Sequence, residues 1–516
     1  MRSNEHRTYA SLARANWMLL LVLALTARPT WQARADETKA AAQNGPQAAE
    51  EGEPPVLYKL TLSPVAEPQP ALKFRLLIPP VDQAHANAAT YYYKALLVEG
   101  TEWLDRLYND DKVGAWVETP NGGPPPAEAK EKVTPVTSRV FQAALREATR
   151  ADSCDWGDAG TELGGHTPRP ELSALRKLAF ALHVLARIQI AEHHTSEALD
   201  TLRIGYTLGR NLSHGPSFVH VSDGSAVIGM MHQATRDLLA APDSPNLYWA
   251  LTELGYQPSE PRRALSFDAR LWQVDHPQLS KLDREIFSPE EALDLARKLY
   301  NESGPLLGRI MPPWDSRHEA ALLFETMALL PEARAYLDQH GFTSDRIDAM
   351  PLLQQVLLYR WKEFVAKQDD LLKWTLLAGK LSPNQVLQAV EKQLPTNLDI
   401  GQPFSLFFGA SSDAARLVVL HERALGMLST IEALRMYAAE HNAWPQKLDD
   451  VTVVPIPLDA ATEKPFEYSV DGDVARLGAP SVQHRPEVPM LAVQYQTTLR
   501  RPPETTAPRN SGNEPE

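Results

Sequence analysis

The sequence predicts a mainly α-helical protein: a helical-hairpin domain followed by a small α+β domain with a long helix and an antiparallel hairpin. Two observations predict this fold class. First, apolar residues recur at intervals of three and four, the period of a helix with one buried face, in five segments: 170–255, 289–302, 316–340, 350–366 and 384–393. Second, after one more long helical segment the period changes to the two-residue alternation of strands.

The N-terminus has the features of a secretory signal peptide, expected over residues 1–35. Three arginines within the first fourteen residues form a basic leader, and an apolar run follows at 17–25. This run suits a signal-peptide core and is too short to span a bilayer, which takes about 20 residues. We expect cleavage after Ala35 or, alternatively, after Ala27; an uncleaved anchor is the remaining interpretation. The protein is therefore expected in the periplasm or outside the cell, with a mature chain that does not span the membrane.

The rest of the chain is expected to contain more than one packed unit, because 516 residues exceed what one hydrophobic core normally holds. Both ends of the mature chain have few residues to bury, which predicts disorder there. The predicted segments are a disordered linker at 36–54, two short strands at 55–79, a helical domain at 80–395, an α+β domain at 412–496 and a disordered tail at 497–516.

Alternating apolar and polar residues predict the strands. Residues 56–62 give one strand and residues 72–76 another, and the sequence assigns neither to a particular domain. Towards the C-terminus, Asp471-Gly472 predicts a two-residue type I′ turn, in which both central residues have positive φ. This turn would place Glu467 opposite Arg476 in a hairpin.

Charge and cysteine content exclude some classes of protein. The formal net charge is −14, and an acidic surface repels phosphate backbones, so nucleic acid is not an expected partner. The single cysteine, Cys154, excludes an intrachain disulfide. The mature protein must therefore be held together by its hydrophobic cores.

Two parts of the chain resemble known families. Residues 182–210 resemble one tetratricopeptide unit, although no second copy follows at that period and an ordinary αα-hairpin is the simpler interpretation. Residues 413–480 are similar to the periplasmic domain of type II secretion pseudopilins, which implies a long helix packed on a small antiparallel sheet. The residues that carry this second resemblance are Ala433-Leu434-Arg435-Met436-Tyr437, Asn442, Trp444-Pro445, Leu448, Pro457-Leu458-Asp459 and Pro465-Phe466-Glu467-Tyr468. The sequence departs from the family at Ala460 and Glu463, and it lacks the family's N-terminal methylated transmembrane helix.

As a whole, the chain resembles a group of exported proteins of planctomycete-type bacteria. This resemblance implies export and implies no activity, ligand or cofactor. The segments that carry it are Pro70-Ala71-Leu72-Lys73-Phe74-Arg75-Leu76-Leu77, Asn87-Ala88-Ala89, Tyr91-Tyr92-Tyr93, Cys154-Asp155-Trp156 and Pro245-Asn246-Leu247-Tyr248-Trp249-Ala250-Leu251.

The sequence contains none of the common local signatures of zinc proteases, α/β-hydrolases, phosphate-binding loops or dithiol centres. One polar cluster is a weak catalytic candidate, formed by His214, His220, Asp223 and Ser225. A Ser/His/Asp nucleophile system requires these side chains to converge in space. The alternative interpretation is that they cap helices and form turns.

Three further groups carry weaker hypotheses. His193 and His194, beside Glu192, are candidate metal ligands, but adjacent residues point in different directions and a solvated turn is favoured. Cys154 has an acidic neighbour, which raises a thiol pKa, so a structural role is favoured over a nucleophilic one. The run 91–93 of three tyrosines is a candidate stacking surface. No metal or other cofactor is predicted.

Three functions remain open from the sequence. The preferred one is a binding or scaffold protein of the cell envelope with an unidentified protein partner, which requires an exposed apolar or aromatic patch. The second is an exported hydrolase with a site near 214–225, which requires a concave pocket. The third is a secretion-apparatus accessory, which requires a free apolar face on the long helix that begins near Asp413.

Overall fold

The computed structural model describes residues 56–119, 123–157, 169–255, 264, 266–267, 270, 273–306, 314, 316–375, 377, 380–393, 405–479 and 493–501. The predicted signal peptide, the linker and most of the predicted tail lie outside these residues. Within the described part, the protein is mainly helical with a small sheet, which confirms the predicted fold class.

Three of the described helices before residue 255 begin at a polar side chain that accepts hydrogen bonds from free backbone amides. These side chains are Asn87, Asp110 and Ser138. The helices before residue 255 are α1 (Ala88–Glu99), α2 (Glu102–Tyr108), α3 (Asp111–Glu118), α4 (Ala127–Lys132), α5 (Arg139–Arg150), α6 (Pro170–Ala191), α7 (Thr195–Ser213), α8 (Phe218–Ala240) and α9 (Tyr248–Leu254).

Two of the later helices begin with a capping box. Ser288 and Glu291 exchange side-chain-to-backbone hydrogen bonds, and so do Ser382 and Gln385. Each pair satisfies two amides that a helix start leaves without an acceptor. The later helices are α10 (Pro289–Leu306), α11 (Ser316–Gln339), α12 (Ser344–Ala349), α13 (Leu352–Thr375), α14 (Pro383–Gln393) and α15 (Ser405–His441). The predicted break at 395–411 is therefore shorter than expected, since α15 begins at residue 405.

The centre of the protein is formed by α6, α7 and α8. The apolar side of α6 is buried, as its period of three and four predicts. Glycines allow α7 and α8 to approach each other closely. A Cβ atom at Gly209 would lie 2.7 Å from Ile228 Cγ1, and a Cβ atom at Gly224 would lie 2.3 Å from Ser213 Oγ. Such distances exclude larger side chains at these two positions.

A four-stranded sheet joins the two ends of the described chain. Its strands are β1 (Val56–Leu62), β4 (Glu467–Asp471), β5 (Val474–Ala479) and β6 (Val493–Leu499), in the spatial order β1-β6-β5-β4. The strand β1 lies parallel to β6, while β6, β5 and β4 are antiparallel neighbours. The first predicted strand therefore pairs with the C-terminal sheet, and β6 extends past residue 497, where the tail was expected to begin. Two short strands, β2 (Ala84–Asn87) and β3 (Ala151–Ser153), form a separate parallel pair.

The second predicted N-terminal strand, at 72–76, is wrong. The chain forms turns and bends there, and the Lys73 amide donates to the Pro70 carbonyl at 2.9 Å. In a strand, Leu72 and Leu76 would lie on the same face and be buried alike. Here Leu76 is fully buried, whereas Leu72 is 42% exposed. A turn anchored by the adjacent buried residues Leu76 and Leu77 explains this pattern.

The hairpin is present, but its predicted turn is displaced by one residue, which shifts the predicted strand pairing by two residues. The two central residues of the turn are Gly472 and Asp473, because Asp471 pairs with Val474. Glu467 consequently lies opposite Gly478, and Arg476 lies opposite Ser469. Gly472 has a φ of 56°, and Asp473 is not among the residues with positive φ. A turn with glycine at the first central position, as in type II′, needs only one residue with positive φ.

The buried side chains form two large clusters. One contains residues between 60 and 254 together with residues between 425 and 499, so α15 and the sheet pack on the α6–α9 region. The other contains residues between 279 and 390, from α10 to α14. The domain boundaries stay a prediction. Among the described helices, none is both long enough and apolar enough to cross a bilayer.

Candidate functional site

The four residues of the catalytic candidate lie near the start of α8, but each is held by a different partner. His214 Nδ1 is 2.7 Å from the Arg210 carbonyl, one turn back in the chain. His220 Nδ1 is 2.7 Å from the Ser217 hydroxyl, and the Asp223 carboxylate is paired with Arg176 of α6.

Three of these four side chains are buried. His220, Asp223 and Ser225 are 1%, 2% and 3% exposed. Burial raises the pKa of Asp223, and the nearby Arg176 guanidinium opposes this effect. A groove on the surface of α1 is lined by Thr90, Tyr93, Lys94, Leu97 and Val98, and none of the four residues lines it. The described hydrogen bonds of these four side chains help to hold the helices in position. The four residues therefore have a structural role.

Ser225 takes part in a buried polar network that the sequence did not reveal. Its Oγ is 2.5 Å from Nε2 of His421 on α15, and the His421 ring lies 5.5 Å from the His232 ring, centroid to centroid. His232 Nδ1 is 3.0 Å from the Tyr206 hydroxyl, which in turn is 2.9 Å from the Thr235 hydroxyl. The network links α7, α8 and α15. His421 is 196 positions away from Ser225, so no local motif could have indicated it.

Burial determines the protonation of the two histidines in this network. It lowers the pKa of His421 to about 4 and that of His232 well below its ordinary value. Both rings are therefore neutral near pH 7. A neutral histidine that contacts a serine hydroxyl has the right chemistry for a general base. A nucleophile must also reach its substrate, and Ser225, with 3% of its surface exposed, is enclosed by protein.

A second buried polar cluster lies between α6 and α8. Arg187 Nε is 2.7 Å from Asp237 Oδ2, and both side chains are buried. Arg187 also donates hydrogen bonds to the carbonyls of Trp116 and Thr119 at the end of α3, each at 2.8 Å. His183 is 1% exposed, and within the described part of the chain neither ring nitrogen has a hydrogen-bond partner.

The remaining candidates of the sequence analysis have ordinary surroundings. His193 Nδ1 is 3.3 Å from Asp243, His194 Nδ1 is 3.8 Å from Glu192, and all these side chains are at least partly exposed. The described residues contain no group of three histidine, cysteine or acidic side chains that could hold a metal ion. Cys154 is half-buried, and burial raises the pKa of its thiol to about 12.

The three consecutive tyrosines contribute mainly to packing. Tyr92 is fully buried and stacks on Trp156 with ring centroids 5.7 Å apart. Tyr91 and Tyr93 are half-buried, and Tyr93 meets the edge of the same Trp156 ring. The predicted stacking surface therefore binds a tryptophan of the chain itself.

The most distinctive exposed surface is one side of α11, which we call the α11 apolar face. Leu323, Phe324 and Met327 are 62%, 75% and 55% exposed. The other exposed residues between 320 and 331 are also uncharged. The complete face consists of Ala320, Ala321, Leu323, Phe324, Met327, Ala328 and Pro331.

The local sequence explains why these side chains face outward. The buried positions of α11 are Thr326, Ala333 and Leu337, which pack towards α13. Residues at intervals of three and four lie on one side of a helix, so Ala320, Phe324 and Met327 share the opposite side. The apolar period predicts one buried side for this helix, but its apolar residues cover more than one side. Exposed apolar surface of this kind typically marks a site of interaction.

No protein-family model, curated protein or solved structure was found to match this chain.

Proposed function

We propose that this protein is an exported binding or scaffold protein of the cell envelope, and that it binds its partner through the α11 apolar face. The observation that carries the proposal is the cluster of three large apolar side chains, Leu323, Phe324 and Met327, each more than half exposed and all within two turns of one helix. Scattered apolar residues are normal on a protein surface, whereas a contiguous patch is typical of an interface.

Export is part of the proposal and is supported by the N-terminal sequence alone. The basic leader, the apolar run at 17–25 and the small residues that follow have the order of a signal peptide. After export, the α11 apolar face would be accessible to other proteins of the envelope.

The other two functions have less support. A hydrolase centred on Ser225 would need substrate to reach a side chain that is 3% exposed. A secretion accessory would need a free apolar face on α15, and in that helix no residue from 412 to 438 is exposed. The two candidate sites are therefore occupied by the protein's own packing, whereas the α11 apolar face is exposed in the described part of the chain.

Site-specific photo-crosslinking in the exporting cells tests the proposal. A photoreactive phenylalanine analogue at position 324 should give a discrete crosslinked product in the envelope fraction. The matched control places the same analogue at Leu97 of α1, a side chain that is 82% exposed and lies outside the α11 apolar face. The proposal predicts a product at 324 and none at 97. Equal products at both positions, or none at 324, would show that the α11 apolar face is not a binding site.

A further inference from the structure

We propose that the partner of the α11 apolar face is a second copy of this chain, with the two α11 helices packed antiparallel about a twofold axis. This inference rests on the proposed function, because it identifies the partner of the same surface. It is argued from the residues of the face and from the charges at its two ends.

The face has the composition of a helix-helix contact. Its larger side chains, Leu323, Phe324 and Met327, lie beside three alanines at 320, 321 and 328. Small residues let two helices approach, and the larger ones fill the grooves between them. The helix has 24 residues, which corresponds to about 36 Å at 1.5 Å per residue. A face of this length presents several turns to another helix.

The charges that bound the face favour the antiparallel arrangement. Exposed residues are uncharged from Ala320 to Pro331. Before this stretch, Glu319 is paired with Arg297 of α10 and Arg317 is exposed; after it, the first charge is the exposed Glu332. In an antiparallel pair with its twofold axis beside Phe324, Arg317 of one copy lies opposite Glu332 of the other. The same contact occurs twice, because a twofold interface is self-complementary. A parallel pair would bring like charges together at both ends, which is unfavourable.

The Glu332 carboxylate is suitably fixed for this contact. Its Oε1 accepts a hydrogen bond from the Tyr359 hydroxyl at 2.7 Å, while the residue stays exposed. A carboxylate that is already oriented loses less conformational entropy when it pairs with an arginine. Glu325, at the middle of the helix, is directed towards Arg360 of α13 at 3.7 Å and so leaves the face uncharged.

The first test measures the oligomeric state of the purified protein. Sedimentation and light scattering over a wide concentration range should show a monomer-dimer equilibrium, and Phe324→Asp should abolish the dimer. Because Phe324 is 75% exposed, this variant should fold, and an unchanged circular-dichroism spectrum and melting temperature would verify that. The matched control, Leu97→Asp on α1, should dimerise like the wild type.

Charge reversal tests the orientation of the two helices. Arg317→Glu alone and Glu332→Arg alone should each weaken the dimer at least about tenfold, because each creates two like-charge contacts. The double variant should recover most of the lost affinity. Lys298→Glu, a reversal of an exposed charge on α10, should have no effect. Failure of the double variant to recover affinity would contradict the antiparallel arrangement.

Cysteine crosslinking gives an independent measure of the register. Ala321 of one copy should lie opposite Ala328 of the other, so a mixture of Ala321→Cys and Ala328→Cys proteins should form a disulfide faster than either protein alone. Within one copy these positions are about 10 Å apart along the helix axis.

The outcomes separate this inference from the proposed function. A chain that stays monomeric in solution, together with a crosslink from position 324 to a different protein, would overturn self-association and leave the binding function in place. A monomeric chain with no crosslink at all would overturn both. A crosslinked product of twice the mass of the chain, with the charge-reversal pattern above, supports both.

Discussion

The Glu432 carboxylate and the Arg435 guanidinium form an ion pair 2.8 Å apart, and neither side chain has any exposed surface. Arg435 also donates to the carbonyls of Ser63 at 3.0 Å and Ser244 at 2.8 Å. Glu432 accepts a hydrogen bond from the backbone amide of Leu247 at 2.8 Å. One pair of side chains on α15 thus fixes the segment after β1 and the segment before α9. These contacts attach both segments to α15 within one core.

Removing one partner of this pair should therefore be costly. We expect Arg435→Met to lower the free energy of unfolding by about 3–5 kcal/mol, because it leaves a buried carboxylate without its cation. Urea denaturation followed by circular dichroism measures the change. The double variant Glu432→Met/Arg435→Met should lose less stability than Arg435→Met alone, since it leaves no uncompensated charge.

An exposed ion pair provides the control for this measurement. Arg106 and Glu102 lie 3.9 Å apart on the surface of α2, with side chains 65% and 94% exposed. Arg106→Met should change stability by less than about 1 kcal/mol, as expected for a solvated pair. A loss for Arg435→Met as small as that for Arg106→Met would show that the buried network is not a major contribution.

The buried histidines should make the protein sensitive to acid. Burial lowers the pKa of His183 to about 3 and that of His421 to about 4, whereas an unfolded histidine has a pKa near 6.5. Below about pH 6.5 the unfolded chain therefore binds protons that the folded protein does not. As the pH decreases below about 6.5, the free energy of unfolding should fall by about 1.4 kcal/mol per pH unit for each such histidine. This decrease ends when the pH reaches the lowered pKa of the folded state.

A comparison of variants isolates the contribution of His183 from that of other titrating groups. His183→Leu should reduce the slope of stability against pH between 6 and 4 by about 1.4 kcal/mol per pH unit. It should not destabilise the protein at pH 7, because it removes two buried nitrogens that lack hydrogen-bond partners among the described residues. Leu178→Ala, on the same helix, should lower stability equally at every pH. An unchanged slope for His183→Leu would mean that this ring is protonated in the folded state.

Much of the helical architecture could be predicted from the sequence, because the buried side of a helix produces apolar residues at intervals of three and four. The segments at 289, 316 and 384 begin within one residue of the observed helices. The strand pairing could not be predicted in the same way, since β1 and β6 lie at opposite ends of the chain. The hairpin register failed because Asp471-Gly472 and Gly472-Asp473 both suit a two-residue turn, and only the pairing of the flanking strands distinguishes them.

The polar contacts of the interior were also beyond local analysis. The four candidate residues near 214–225 are close together in sequence, but two of them, Asp223 and Ser225, contact partners on other helices. Arg176 is on α6 and His421 is on α15. The α11 apolar face was missed because its residues have the same period as those of a buried helix. The exposure of a helix face depends on which other elements pack against it. The sequence of the helix alone does not identify those elements.

Ser225 should behave as a structural residue in chemical and thermodynamic tests. We expect no labelling of the folded protein by a fluorophosphonate probe, because the hydroxyl is enclosed. Ser225→Ala should lower the free energy of unfolding by about 1–3 kcal/mol, since it deprives the buried His421 Nε2 of its described partner. Labelling of the wild type that is lost in Ser225→Ala would instead revive the hydrolase hypothesis.

Two glycines of α8 provide a sensitive test of the close contact between α7 and α8. In Gly224→Ala, the new Cβ would lie 2.4 Å from the Ser213 backbone nitrogen and 2.6 Å from the Gly209 carbonyl oxygen. Backbone atoms cannot move aside without separating the two helices, so we expect a loss of several kcal/mol or failure to fold. Gly229→Ala is the matched control, because outside its own stretch of helix no atom of the described residues lies within 4 Å of a Cβ there. Since alanine favours a helix over glycine, Gly229→Ala should stabilise the protein by about 0.5–1 kcal/mol. Thermal melts of both variants measure the difference, and a Gly224→Ala protein as stable as the wild type would contradict the close packing of α7 on α8.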